Sequence, residues 1–310
     1  LETVFSIMSM TKPIAGVACL QAVEKGLLDL DQPGGEVVPW LADVEVLDGF
    51  ADDGTPQLRP ATTPVTLRNL LTHTSGFVYE IWNANQARYL ETSGRPGLSA
   101  GTRDAYRQPL AFDPGSKWEY GIGIDWATTM LETATGRTLE ELMRTEVFDP
   151  LGMNNTAYVP SAAMAARLGP IHTRDEGGRF QASAASPLGN DREYNGGGGG
   201  LHSTLGDYSR FLRMILRGGE LDGSRVLERA TVSLAGENHM GDHRVTMLPS
   251  VVPAASADAE FFPGTEKSWG LTFQINEETA PTGRPAGSLS WAGLLNTFFW
   301  VDPTNDIAGV

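Results

Sequence analysis

Ser9-Met10-Thr11-Lys12 is the only Ser-x-x-Lys in the chain. On a helix, a serine and a lysine three residues apart share one face. A serine hydroxyl is a weak nucleophile until a base takes its proton, and a lysine held beside it can help do so. Amides at a helix N-terminus can stabilise negative charge on a substrate oxygen. The pattern alone is weak evidence, because about one such spacing arises by chance in a few hundred residues. A serine at a helix start is most often a cap. Its weight depends on the elements that surround it.

Thr3-Val4-Phe5-Ser6-Ile7-Met8 reads as extended chain. From Ser9 onward, Ile14, Val17, Ala18, Leu20, Gln21 and Val23 follow a helical period that stops at Gly26. Pro13 fits only a first helical turn, so Ser9 is expected at the helix N-terminus. Residues 28–63 are acidic and rich in Pro and Gly, as loops are. A short helix over residues 66–71 should end in the polar turn Thr72-His73-Thr74-Ser75-Gly76. Residues 80–112 look helical, with a break near Gly94-Arg95-Pro96-Gly97. Asp113-Pro114-Gly115 is a turn signal leading to Trp118-Glu119-Tyr120-Gly121-Ile122-Gly123. Helices are expected over 125–135, 138–147 and 207–216, and irregular chain over 160–195. Strands are expected over 269–275, 288–291 and 296–301.

Strands thus flank the chain and helices fill its middle. The expected class is α/β (α+β): an antiparallel sheet flanked by helices, with a large, mostly helical insertion. Residues 1–28 with 266–310 would form an α/β domain, residues 29–265 a mostly helical one, and the active site would lie at their seam. Both ends look cut, because residue 1 enters almost directly into a strand and the last hairpin stops midway.

Composition narrows the function. The 310 residues carry a formal net charge of −15, which argues against nucleic acid and anionic membrane surfaces as partners. No apolar run approaches the roughly 20 residues that span a bilayer. Cys19 is the only cysteine and falls in the apolar stretch of the first helix, so it is expected to be packed in the core. With no signal or membrane segment in view, a cytoplasmic location is favoured. The glycine run 196–200 lacks the Gly-Lys-Ser/Thr ending of a phosphate loop and points instead to close backbone approach. There is no Gly-x-Ser-x-Gly elbow and no His-Glu-x-x-His; His239 and His243 lie in a Gly-containing stretch without a clear helix. Neither a metal nor a cofactor is expected.

With Ser9-Met10-Thr11-Lys12-Pro13, Tyr120 and Trp291-Ala292-Gly293 in view, the chain resembles the serine β-lactamase and penicillin-binding-protein superfamily. More closely, it is similar to the family VIII carboxylesterases, which share the class C β-lactamase fold. Leu70-Leu71-Thr72-His73-Thr74-Ser75-Gly76 matches a turn of that superfamily, as does the glycine run with Leu201, Ser203 and Thr204. The resemblance covers nearly the whole chain. It implies a β-lactamase/transpeptidase-like fold and a serine hydrolase in which Ser9 attacks an ester carbonyl. Lys12 and Tyr120 would share the general-base work. The amides of Ser9 and Leu294 would form the oxyanion hole.

Two departures bear on substrate. Trp291 stands where lactamases carry a side chain that holds a drug carboxylate, and Ile122 stands where they carry an amide-binding Asn. Both changes suit neutral esters. Trp291, Ala292, Gly293, Ile122, Phe77 and Tyr79 are the expected pocket walls. Esters of short- to medium-chain acids are therefore the expected substrates. A β-lactamase, a D-amino-acid peptidase or an acyltransferase are the alternatives; a non-catalytic binding protein is disfavoured by the intact Ser9, Lys12 and Tyr120.

Overall fold

The computed structural model describes residues 1–175, 177–183 and 192–310. Strand β1 (Val4–Ser6) runs through a 3₁₀ turn (Met8–Met10) into helix α1 (Thr11–Glu24). Ser9 therefore sits in the tight turn before the helix, one step earlier than expected. Met8 takes φ +46°, which costs a non-glycine residue roughly 1–2 kcal/mol. Such strain persists only where the surroundings over-determine it. Helix α1 is buried from Thr11 to Ala22 on every face, so it is a central core helix rather than an amphipathic one.

A hairpin of β2 (Glu45–Phe50) and β3 (Pro56–Pro60) lies within the loop-rich segment. Helix α2 (Leu67–Leu71) starts on a capping box of Thr66 and Asn69. Helices α3 (Ala84–Ser93), α4 (Gly123–Thr135), α5 (Leu139–Met143), α6 (Asp149–Leu151) and α7 (Ala162–Ala165) follow. A π turn, Arg144–Phe148, joins α5 to α6, so the expected helix over 138–147 changes pitch midway. Beyond α7, β4 (Ile171–Arg174) and β5 (Phe180–Ser183) pair as a hairpin where irregular chain was expected.

Strand β6 (His202–Thr204) leads into α8 (Leu205–Leu216), with Thr204 accepting the Asp207 N–H as the cap. Helix α8 is amphipathic: Tyr208, Phe211, Leu212, Met214 and Ile215 face the core. A small hairpin, β7 (Glu220–Leu221) and β8 (Ser224–Arg225), precedes α9 (Arg229–Ala235). The chain then builds an antiparallel sheet of β9 (Lys267–Trp269), β10 (Gln274–Asn276), β11 (Leu289–Gly293), β12 (Thr297–Asp302) and β13 (Ile307–Gly309), in sequential order.

Two expectations change here. The single strand over 269–275 is two strands around a tight turn, with Thr272 at φ +85°. And β1 pairs with β6 rather than with the terminal sheet. The sheet instead reaches the serine turn through Thr297, whose hydroxyl donates to the Ile7 carbonyl at 3.4 Å.

The β9–β10 turn wedges between helices. The Thr272 N–H donates to Leu71 O and the Leu271 N–H to Ala235 O. On the other side, a Cβ at Gly16 of α1 would overlap the Thr272 side chain. Gly16→Ala is expected to push α1 off the sheet and cost about 1–3 kcal/mol, read as a lower midpoint in chemical denaturation.

Candidate functional site

Four elements converge on Ser9. Its turn is tied on both sides: the Ile7 N–H donates to Leu201 O at 3.0 Å, and the Tyr208 hydroxyl donates to Met10 O at 3.0 Å. One helical turn on, Lys12 is wholly buried. Its Nζ lies 3.1 Å from Ser9 Oγ, 2.9 Å from the Tyr79 hydroxyl and 2.7 Å from Gly198 O. The glycine run makes the last contact possible. The Gly198 N–H donates to Asp125 Oδ1 at 2.9 Å and the Gly197 N–H to Thr128 Oγ1 at 3.2 Å. A Cβ at Gly197 or Gly198 would overlap those same side chains. Close approach, not a phosphate loop, is what the glycines serve. Burial raises Asp125 above the ordinary carboxylate range, against the opposing pull of Lys12.

Tyr120 is positioned by the polar turn at 72–76. The Glu119 N–H donates to His73 O, the Gly115 N–H to Thr74 O, and the Ala111 N–H to Gly76 O. The two segments are thereby zipped side by side, and Gly121 packs so closely on Phe77 that a Cβ would overlap its carbonyl. The Tyr120 ring is buried among His73 (4.6 Å between ring centres), Trp291 (4.7 Å), Tyr79 (5.4 Å) and Trp82 (5.6 Å). Lys12 Nζ stands 4.8 Å from the centre of the Tyr120 ring. The Tyr120 hydroxyl accepts the Trp291 indole N–H at 3.0 Å. Trp291 is thus a hydrogen-bond donor to Tyr120 as well as a wall.

A cavity of about 420 Å³ opens over these groups. Ser9, Tyr120, Trp291, Ala292, Gly293 and Leu294 line it. Phe77 and Ile122 do not. Phe77 stacks on Trp40 and Trp126 in the core, and Ile122 is fully buried at the start of α4. Tyr79 is also displaced from its expected place, lying beneath the cavity on Lys12. The opposite wall was not legible from sequence: Trp82, Phe298 and the strap of residues 248–261. The strap closes on itself through a Leu248–Ala259 bridge. It is held down by Trp82 Nε1 donating to Ser256 Oγ at 3.1 Å and by the Val251 N–H donating to Ile81 O at 2.9 Å. Pro, Ala and acidic residues there carry no chemical signature; Phe261, edge-on to Trp291, was the one available hint.

Two buried groups are silenced by their surroundings. Burial pushes the Cys19 thiol up to about 12, which makes it inert. His73 is held well below 6.5 by burial first and by the Lys12 charge second. Its Nδ1 accepts the Gly121 N–H, which puts the ring proton on Nε2. The unfolded chain can take a proton at His73 that the folded chain refuses. Stability is therefore full above pH 6.5 and falls as pH drops below it, by up to about 1.4 kcal/mol per pH unit. His73→Asn suits the φ of +58° at this position. That variant is expected to show a shallower loss of unfolding free energy between about pH 6.5 and 5 than the parent, measured by urea titration at each pH.

The whole chain, residues 1–310, matches the family described as Beta-lactamase. The lovastatin esterase of Penicillium rubens is 32% identical over 325 residues, covering 100% of this chain and 79% of that protein. The monacolin J acid methylbutanoyltransferase of Aspergillus terreus is 28% identical, covering 97% of this chain and 74% of that one. A solved structure of a mutant simvastatin synthase from Aspergillus terreus superposes with a TM-score of 0.83 at 29% identity, over 99% of this chain and 76% of the other. Among the described residues, no helix is long and apolar enough to cross a membrane. With a full-length family match, relatives that are enzymes and a shared fold, the chain belongs to the beta-lactamase family of serine hydrolases.

Proposed function

We propose that the chain is a carboxylesterase working through an acyl-enzyme on Ser9. Ser9 Oγ attacks the ester carbonyl, and its proton passes to the Lys12–Tyr120 pair. The oxyanion is held by the Ser9 and Leu294 amides. The C–O bond to the alcohol then breaks, and the departing alkoxide takes the proton back. Water, activated by the same pair, attacks the acyl carbon and restores Ser9. The cleft lies at the seam of two lobes, residues 1–28 with 266–310 and residues 29–265.

One observation carries the ester reading: the lining of the cavity. Its charged residues are Asp258 and Glu260, and no Lys or Arg lines it among the described residues. Trp291, Phe261, Phe298 and Trp82 present apolar area instead. A substrate carboxylate would meet Asp258 and Glu260, the latter paired with Lys267 Nζ at 3.7 Å, and no cation in the lining, whereas a neutral acyl chain buries apolar surface at about 25 cal/mol per Å². Esters of short to medium acyl chains fit a space of this size.

A second reading has its own support. The relatives include a methylbutanoyltransferase and an esterase on one fold. Acyl transfer to an alcohol uses the same intermediate and differs only in the acceptor.

Ser9→Ala is expected to lower turnover of p-nitrophenyl butyrate by a thousandfold or more, roughly the scale of losing a nucleophile. A fluorophosphonate should add its mass to the parent and not to this variant. Full activity in Ser9→Ala would refute the assignment. Turnover of a cephalosporin should stay far below that of the ester. Trp291→Phe keeps the ring and removes the N–H to Tyr120; it is expected to lower kcat about ten- to hundredfold, equivalent to about 1–3 kcal/mol. Added methanol or butanol, followed by chromatography of the acyl products, separates hydrolysis from transfer.

A further inference from the structure

Lys12 Nζ has one substituent fixed by its own side chain and three remaining tetrahedral directions. Two of them end on groups that cannot leave: Gly198 O at 2.7 Å and the Tyr79 hydroxyl at 2.9 Å. The third ends on Ser9 Oγ at 3.1 Å. Gly198 O is anchored through the glycine run to Asp125 and Thr128. The Tyr79 ring is clamped edge-on to Trp82 at 5.7 Å and tilted against Tyr120 at 5.4 Å.

We propose that Tyr79 is a positioning residue that aims Lys12 at Ser9. This rests on the reading of Ser9 and Lys12 given above and assigns Tyr79 a part in it. As an amine, Lys12 gives one N–H to Tyr79 and one to Gly198, and its lone pair is left facing the Ser9 O–H. When the Ser9 Oγ–carbon bond to the substrate forms, the Oγ proton moves to that lone pair. The resulting ammonium has three N–H bonds and the same three neighbours to receive them. Nothing rotates between the two states, which is the preorganisation that a rapid proton shuttle needs.

The two tyrosines around Lys12 are then distinct. Burial, with the neighbouring Tyr120 and acidic groups adding to it, holds the Tyr79 phenol well above 10. Tyr79 therefore stays a neutral phenol and serves as a fixed acceptor. Tyr120 is bonded to the Trp291 N–H instead, with its ring over Lys12. A wall residue at position 79 would need no hydroxyl, and its loss would change substrate fit. An aiming residue needs the hydroxyl, and its loss would change the rate at which Ser9 is activated.

Tyr79→Phe separates these roles. The expected result is a ten- to hundredfold fall in kcat for p-nitrophenyl butyrate and in the rate of fluorophosphonate labelling, with KM within about threefold of the parent. A kcat within twofold of the parent, or a loss carried by KM rather than by kcat and the labelling rate, would overturn the proposal. Thermal unfolding checks the fold. Should Tyr79→Phe fail to fold, 3-fluorotyrosine at position 79 keeps the shape and weakens the acceptor. It should lower kcat and the labelling rate in the same direction by less, and an unchanged kcat there would overturn the proposal equally. Failure of the underlying reading looks different: the parent itself would take up no fluorophosphonate mass on Ser9.

Discussion

The structure around the cleft depends on the burial of one amino group. Lys12 is fully enclosed, and a buried amino group is unfavourable unless its hydrogen-bonding positions are satisfied. Its three partners come from three parts of the chain: the same turn, residue 79 and residue 198. The folded chain must therefore hold the α1 turn, the segment after the 72–76 turn and the glycine run within one bond length of a single nitrogen. Asp125 bears part of that load. It lies under the glycine run, accepts the Gly198 N–H and is pushed upward by its own burial. A carboxylate in that position stabilises the loop that carries the carbonyl, at a cost in desolvation.

The candidate site is closed from the other side by the terminal sheet. Strand β11 brings Trp291 onto Tyr120, and Gly293 comes so close to Ile7 that only glycine fits. Thr297 on β12 bonds the same Ile7 carbonyl. The serine turn is thus gripped between β6 and α8 behind it and the sheet in front. Such grip explains how Met8 can be held at a positive φ beside Ser9.

Some of this was legible in the amino-acid order and some was not. Ser9, Lys12, Tyr120 and Trp291-Ala292-Gly293 were readable because their chemistry is written in residue type, and the helices because caps and periodicity are local. The double strand around Thr272 was not, since the positive φ falls on a threonine and the single Gly270 beside it reads equally well as a glycine within one strand. The pairing of β1 with β6 depends on contacts nearly two hundred residues apart, which periodicity cannot reveal. Phe77 and Ile122 were read as walls because they neighbour motif residues in sequence. In space the backbone turns them into the core, while Trp82 and the 248–261 strap take the exposed face. Tyr79 was correctly placed near the site but for the wrong contact: sequence proximity does not say whether a phenol faces substrate or lysine.

The same geometry constrains how hydrolysis and acyl transfer can diverge on this scaffold. In the proposed mechanism Ser9, Lys12, Tyr120 and Trp291 serve to form the acyl-enzyme, and whichever acceptor follows must use the same proton relay. The choice of acceptor therefore cannot reside in those four residues. It must reside in what holds the second substrate against the acyl carbon, and the cavity offers two candidates. One is the aromatic wall of Trp291 and Phe298, fixed to the sheet. The other is the strap, tied to the body near Trp82 by the Ser256 hydroxyl and one backbone bond. A rigid wall sets which acyl group enters. A strap held by a few hydrogen bonds, each worth about 1 kcal/mol, is the part able to yield to a bulky alcohol. Divergence between esterases and transferases in this family is thus expected to concentrate in the strap, while the buried lysine and its three partners stay common to both.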